Sequence, residues 1–166
     1  MPQVFIEYWQ VAINFEEGDG MQNLASIQQL IDAIAFEDGE ADMLAMDEVV
    51  LAIDRLPEPR QAVPLLFDWF EAHAGLFVGS PGPFVHFIED KLDYFPLLLA
   101  SLARKPTGIT VWMVNRIANA ATNAPAIQQW IDVLQAALVH PQADEECRDE
   151  AKHFLDRQVG RLAALG

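Results

Sequence analysis

The stretch LASIQQLIDAIAFEDGEADMLAMDEVVLAI, residues 24–53, contains the same apolar spacing twice and decides the fold class of this chain. In each copy, apolar side chains recur three or four residues apart, which places them on one face of an α-helix. The first copy is Leu24, Ile27, Leu30, Ile31 and Ile34, and the second is Met43, Met46, Val49, Val50 and Ile53. Because the acidic segment 37–40 separates the two copies, the stretch predicts two antiparallel helices joined by a turn.

Prolines and glycines mark where the helical spacing stops. The segment Leu56-Pro57-Glu58-Pro59 ends the second helix, because proline lacks a backbone donor and clashes inside a helix. A third apolar stripe begins at Val63 and runs to about Ala74. The segment 75–83 contains three glycines and two prolines, so it predicts a long irregular break.

Five further helices are predicted after this break. Two lie at 84–88 and 94–104, a third begins after the cap Thr107, a fourth begins at Pro125, and Asp144 opens the last. In the last helix, the side chains predicted to point inward are Ala151, Phe154, Leu155 and Val159. At the amino-terminal end, the spacing of residues 4–15 predicts a helix, although their β-branched and aromatic content also fits a strand.

About eight or nine helices joined by short turns predict an all-α fold, with residues 1–166 forming one domain. We expect the helices to pair as antiparallel hairpins, which can stack as they do in HEAT-type repeats. No sequence period of roughly 40–47 residues is visible, so an irregular helical bundle is the alternative arrangement.

The negative charge is concentrated in the first half of the chain. Residues 1–83 contain 15 Asp or Glu against two arginines, a net charge of −13, whereas residues 84–166 contain 10 acids against 8 bases. Charge of one sign favours the approach of an oppositely charged partner. It disfavours nucleic acid, because binding to a phosphate backbone depends on Lys and Arg. The charge pattern therefore indicates a binding protein rather than a catalyst.

Cellular location can also be predicted from the sequence. The longest nearly uncharged stretch, 94–103, is about half as long as a membrane-spanning helix. The first three residues, Met1-Pro2-Gln3, lack the basic start of a signal peptide. A single cysteine, Cys147, cannot form an internal disulfide, which fits a reducing compartment. We therefore expect a cytoplasmic protein that does not contact membranes.

Two pairs of residues have the spacing of metal ligands on a helix. They are His86 with Glu89 and Glu150 with His153. Neither pair is a complete ligand set, since zinc needs three or four convergent ligands and a di-iron site needs further glutamates. We therefore expect no metal, no cofactor and no catalytic residue. A metal-dependent helical enzyme that uses these four residues remains the alternative, together with a HEAT-type interaction scaffold.

Aromatic and amide side chains are assigned mainly to the core. Residues on helical stripes are predicted to be buried, namely Phe67, Phe70, Trp112, Trp130 and Phe154. Cys147 is predicted to be unreactive, because its acidic neighbours oppose thiolate formation. Asn115 and Asn119 are predicted to bond carbonyls at the end of the preceding helix, and Arg116 to pair with Glu89 or Asp90.

The second half of the chain carries a recognisable set of short segments. They are GPFVHFIE at 82–89, SLARKPT at 101–107 and VWMVNRIAN at 111–119, with Tyr94, Leu98, His140-Pro141, Ala151 and Phe154-Leu155. Over roughly residues 80–156 this set resembles small helical immunity proteins of bacterial polymorphic toxin systems. The resemblance implies a protein that binds and neutralises a toxin encoded beside it.

The acidic first half is where we expect the partner to bind. A 12-residue window without a base contains Glu37, Asp38, Glu40, Asp42, Asp47 and Glu48. Asp68 and Glu71 are predicted to extend this surface, and Phe77 in the break is predicted either to pack on the core or to contact the partner. The sequence thus predicts a monomer or weak dimer that covers a basic toxin, such as a nuclease, through complementary charge.

Overall fold

The computed structural model describes residues 23–91 and 93–165, so the helix predicted at 4–15 lies outside the described residues. Over these residues the chain forms eight α-helices and one two-stranded hairpin, which confirms the prediction of an all-α fold. In chain order the elements are α1 (Leu24–Asp32), β1 (Phe36–Glu37), β2 (Glu40–Ala41), α2 (Met43–Ile53), α3 (Val63–Ala72), α4 (Gly82–Glu89), α5 (Phe95–Arg104), α6 (Gly108–Ala120), α7 (Ala124–Leu138) and α8 (Glu145–Ala163).

Side-chain caps fix where several of these helices begin. A polar residue just before the helix accepts a hydrogen bond from a first-turn N–H in α1, α2, α6, α7 and α8. Such bonds satisfy donors that have no partner inside the helix. The caps predicted at Thr107 and Asp144 are confirmed, and Asp42 caps α2 with its Oδ1 atom 3.0 Å from the N–H nitrogen of Leu44.

The helices pack against both chain neighbours and more distant helices. α1 contacts α2, α2 contacts α4, α3 contacts α5, and α5 contacts α6. The last three helices, α6, α7 and α8, all contact one another. One cluster of buried apolar side chains extends from Ile27 in α1 to Phe154 in α8. None of the helices in the described part of the chain is long and apolar enough to cross a membrane.

Some residues predicted to be buried are not. Leu24 and Leu30 are 38% and 40% exposed, because α1 buries the narrower stripe of Ile27 and Ile31. Val159 is 46% exposed, contrary to its predicted inward position. In that turn the fully buried side chain is Gln158, and the next residue is rotated by about 100° around the helix. Trp112 is only half-buried.

Polar contacts between α6 and α8 differ from the prediction. The Gln158 amide donates to Asn115 Oδ1 at 2.7 Å and to Asn119 Oδ1 at 2.8 Å. Arg161 of α8 also reaches the end of α6, where it donates to Ala118 O at 2.7 Å. The predicted bonds from the Asn115 and Asn119 amides to carbonyls at the end of α5 are therefore wrong, because both amide oxygens accept from Gln158. At the end of α5, Ala103 O accepts a hydrogen bond from His140 Nε2 at 3.1 Å.

One long-range ion pair was correctly anticipated from the sequence. Arg116 of α6 donates through Nε and Nη2 to the two carboxylate oxygens of Glu89 at 2.7 and 2.8 Å. This bidentate geometry joins α4 to α6. The hydrogen bond to Glu89 raises the pKa of Arg116 above its ordinary value, so the guanidinium remains charged.

Candidate interaction surface

The acidic turn between α1 and α2 is a short β-hairpin. Phe36 pairs with Ala41 and Glu37 with Glu40, and the two-residue loop is Asp38-Gly39. Both loop residues have positive φ, 50° and 85°, as a type I′ turn requires. The sequence predicts the turn but not the strands. The Asp-Gly pair is the sequence signal that could have predicted the hairpin.

An aromatic stack attaches this hairpin to α3. The Phe36 ring lies 5.7 Å from the Trp69 ring and 4.8 Å from the His73 ring, with interplanar angles of 18° and 24°. His73 is held in turn by its Nδ1, which donates to the carbonyl oxygen of Trp69 at 2.8 Å. The hairpin therefore has a fixed position although each strand contains only two residues.

The break between α3 and α4 lies along the hairpin. The Phe77 N–H donates to Gly39 O, and the Ala41 N–H donates to Phe77 O, both at 2.9 Å. Val78 is buried, whereas Leu76 is 38% exposed and the Phe77 side chain is 52% exposed. The main chain of Phe77 is thus bound to the hairpin while its ring stays accessible, so its contact with a partner stays a prediction.

We define the acidic surface as the six carboxylates of the hairpin and the start of α2, which are Glu37, Asp38, Glu40, Asp42, Asp47 and Glu48. All six residues are exposed. Four of them line an open depression of about 560 Å³ together with Ala35 and Ala41. In residues 23–91 and 93–165, no carboxylate of the acidic surface forms an ion pair. Its charge is therefore offset by no cation of the described chain.

The ion pairs that do form lie elsewhere. They are Arg60–Asp93, Lys91–Asp54, Arg104–Asp68, Arg104–Glu71, Arg116–Glu89 and Lys152–Asp156. Asp68 and Glu71, which the sequence predicts as an extension of the binding surface, thus have an intramolecular partner. Arg104 lies 3.0 Å from Asp68 and 2.7 Å from Glu71, and Ser101 Oγ also donates to Glu71 at 2.6 Å. These contacts join α3 to α5, so we leave both residues out of the acidic surface.

Two leucines on α2 are exposed beside the acids. Leu44 is 75% and Leu51 is 58% exposed, and their spacing of seven residues places them on one helix face. Asp47 and Glu48 lie between them on that face. Sequence reasoning missed these leucines, because it searched α2 only for the stripe that faces the core. Their spacing outside that stripe is the signal that could have found them.

A cavity of about 260 Å³ is lined in part by the 75–80 segment. It lies between the end of α3, the first turn of α6 and the first turns of α8. Its lining includes Phe70, Phe77, Ile109, Trp112, Glu146 and Glu150. Trp112 is predicted as core from the sequence, and its half-burial is explained by this opening. Glu146 and Glu150 have the i, i+4 spacing of one helix face, but nothing local in the sequence places that face against α6.

The residues with metal-like spacing are not brought together as a site. His86 is exposed on α4, Glu89 is paired with Arg116, and His153 is exposed on α8 with its ring 5.4 Å from that of Phe154. Across the described residues, no group of three or more His, Cys, Asp or Glu side chains is positioned to hold a metal ion. No observation therefore favours the metal-dependent enzyme.

The single thiol is equally unsuited to chemistry. Cys147 is fully buried, and burial, followed by the nearby Asp144 carboxylate, raises the pKa of its thiol to about 12. A nucleophilic cysteine needs the thiolate, which this environment disfavours. This environment supports the prediction that Cys147 is unreactive.

Comparison with known proteins gives no assignment. No protein-family model matches the chain, and no curated protein or solved structure matches it either. The chemistry of the surface is therefore the main ground for a functional proposal.

Proposed function

We propose that this protein is an immunity protein, which binds a basic bacterial toxin in the cytoplasm and neutralises it by covering its active surface. The observation that carries the proposal is the acidic surface, whose six carboxylates are exposed and form no ion pair among the described residues. The resemblance of residues 80–156 to immunity proteins supports the same proposal.

The cost of the acidic surface supports a role in binding. Like charges close together repel and reduce stability, and native helices usually offset them with bases at i, i+4. The second half of this chain does so at Lys152–Asp156, where the two charged atoms lie 2.7 Å apart. A basic partner would supply the missing opposite charge and would also be steered to this face.

Apolar groups beside the acids supply the other component of an interface. Leu44, Leu51 and the Phe77 ring are exposed next to or among the carboxylates. Interfaces combine a desolvated apolar or aromatic centre with a polar rim, and a few such anchors dominate the affinity. The proposed partner therefore has an apolar contact area surrounded by Lys and Arg.

Charge reversal tests the proposal. The double variant Asp47→Lys/Glu48→Lys is co-expressed with the protein encoded by the adjacent reading frame, and growth and the association rate are measured. We expect the association rate to fall by at least tenfold and protection to be lost, because electrostatic steering changes association rate constants over this range. Asp42 is left unchanged, since its carboxylate caps α2.

The matched control is Glu58→Lys/Asp90→Lys. It makes the same change in net charge at two exposed carboxylates that form no ion pair among the described residues and lie outside the acidic surface. We expect this variant to protect like the wild type. Equal protection by both double variants, with the fold intact by circular dichroism, would exclude the acidic surface as the binding site.

A further inference from the structure

The cavity beside the 75–80 segment has aromatic walls. Phe70 is buried and forms part of its lining, while Phe77 and Trp112 are partly exposed at its edge. Aromatic faces attract cations through the ring quadrupole. The Trp112 ring already does so on this protein, since the Arg116 guanidinium carbon lies 4.9 Å from its centroid.

Two carboxylates contribute to the same cavity. Glu146 and Glu150 lie one turn apart on α8 and both line the opening. In the described part of the chain neither forms an ion pair. The cavity therefore combines aromatic walls with two negative groups that no described cation offsets.

The Glu146 carboxylate lies near a glycine in each of two walls of the cavity. Its Oε1 lies 3.8 Å from the position that a Cβ on Gly108 would take, and its Oε2 lies 3.9 Å from the corresponding position on Gly75. The carboxylate thus lies between the 75–80 segment and the first turn of α6. An anionic ligand at this helix end would be repelled by the Glu146 charge, which favours a cation as the occupant.

The size of the cavity restricts the occupant further. Its volume of about 260 Å³ is below the roughly 300–1,000 Å³ of common small-molecule sites. One long side chain fits such a space. A basic side chain suits the lining, because its methylene stem can pack on aromatic rings while its charged end reaches a carboxylate.

We propose that this cavity receives one arginine or lysine side chain of the partner protein, held between the Phe77 and Trp112 rings and the carboxylates of Glu146 and Glu150. The identity of the occupant as a partner's side chain rests on the proposed function. The Phe77 main chain connects the cavity to the acidic surface through its two hydrogen bonds to the hairpin, so one partner can reach both.

The test uses the whole protein and no partner. The chain contains four tryptophans, and the indole N–H resonance of Trp112 is assigned by its loss in Trp112→Phe. Nα-acetylarginine amide is then titrated into the isotope-labelled protein while the Trp112 resonance is followed by NMR. Nα-acetylcitrulline amide serves as a neutral probe of almost the same shape. We expect the arginine probe to shift the Trp112 resonance with a Kd about five times lower than that of the citrulline probe, as a single cation–π contact or ion pair supplies.

Variants on α8 connect the effect to the two carboxylates. In Glu146→Gln/Glu150→Gln the preference for arginine over citrulline should disappear. The matched control Glu145→Gln/Asp149→Asn removes the same charge from two exposed positions outside the cavity lining and should keep the preference. Arginine and citrulline probes that bind equally would overturn the proposal.

The absence of any Trp112 shift at about 0.1 M probe would also overturn the proposal. This concentration is well above the millimolar Kd that one side chain can provide. Because no partner is present, failure here leaves the charge-reversal experiment to be judged on its own result. Success here, combined with unchanged protection in Asp47→Lys/Glu48→Lys, would instead locate the partner at the cavity alone.

Discussion

Individual residues that act locally were predictable from the sequence. Thr107 and Asp144 were identified as caps because a hydroxyl or carboxylate before an apolar helical stripe has one common role. Gln158 was not identified, although it is fully buried. Its partners Asn115 and Asn119 lie about 40 residues away, so their contact depends on the rotation of α6 against α8, which no local pattern encodes.

Cys147 gives a prediction at this scale about pH. The unfolded thiol ionises near pH 9, and the buried thiol near pH 12. Because the folded pKa is raised, its contribution to stability is complete below pH 9 and is lost as the pH rises towards 12. Over this window the free energy of unfolding should fall by about 1.4 kcal/mol per pH unit from this group.

Urea unfolding of the wild type and Cys147→Ala at several alkaline pH values measures this effect. The variant lacks the thiol, so its free energy of unfolding should decline less steeply as the pH rises. The free energy of unfolding of the wild type should therefore fall relative to that of the variant. Parallel pH profiles would show that the thiol does not control alkaline stability.

At the scale of elements, helices were easier to predict than the irregular segments between them. A helical stripe requires only a repeated spacing, and each of the eight described helices was anticipated from the sequence. The hairpin and its contact with the 75–80 segment were not anticipated. That contact joins residues 39 and 41 to residue 77 through main-chain groups, and main-chain hydrogen bonds leave no trace in side-chain composition.

A substitution at Gly79 tests whether the backbone of the 75–80 segment accepts a side chain. The φ of Gly79 is +93°, and an added Cβ would clash with Gly82 Cα. Gly79→Ala should therefore lower the free energy of unfolding by about 1–3 kcal/mol, through backbone strain and the clash. Thermal or urea unfolding measures the change.

Gly160 provides the matched control on α8. A Cβ there would meet nothing within 4 Å, and the residue is helical. Gly160→Ala should stabilise the protein by roughly 0.5–1 kcal/mol, because alanine loses less entropy in a helix. Equal tolerance of alanine at both glycines would show that the segment adjusts without strain.

For the molecule as a whole, the uneven charge was visible in the sequence, but the pairing of the charges was not. Counting acids and bases gives a net charge of −13 for residues 1–83. The structure adds which carboxylates have partners. It separates Asp68 and Glu71, which bind Arg104, from the acidic surface, where no described cation is bound. The cavity at Glu146 and Glu150 could not be predicted, because three separate elements form it.

The concentration of unpaired acidic charge predicts that salt stabilises the isolated protein. The Debye screening length is about 10 Å at 0.1 M salt and about 30 Å at 0.01 M. Added salt therefore weakens the repulsion among exposed carboxylates. The exposed ion pairs that salt also weakens contribute little. We expect the free energy of unfolding to rise by on the order of 1 kcal/mol between these NaCl concentrations.

The rise should be smaller in Asp47→Lys/Glu48→Lys, where part of the repulsion is already removed. Urea unfolding at the two salt concentrations makes the comparison. A decrease in stability with salt would mean that ion pairs, and not unpaired acids, dominate the electrostatics of the fold.

The main-chain bonding between the hairpin and Phe77 has a consequence for how such a protein diverges. Neither bond uses a side chain, and the turn itself constrains only Asp38 and Gly39 through their positive φ. Positions 37, 40 and 77 can therefore change their chemistry while the scaffold that presents them is retained. A lineage could follow a changing target by substitution at these three sites, and a library randomised only there should yield folded proteins with new binding preferences.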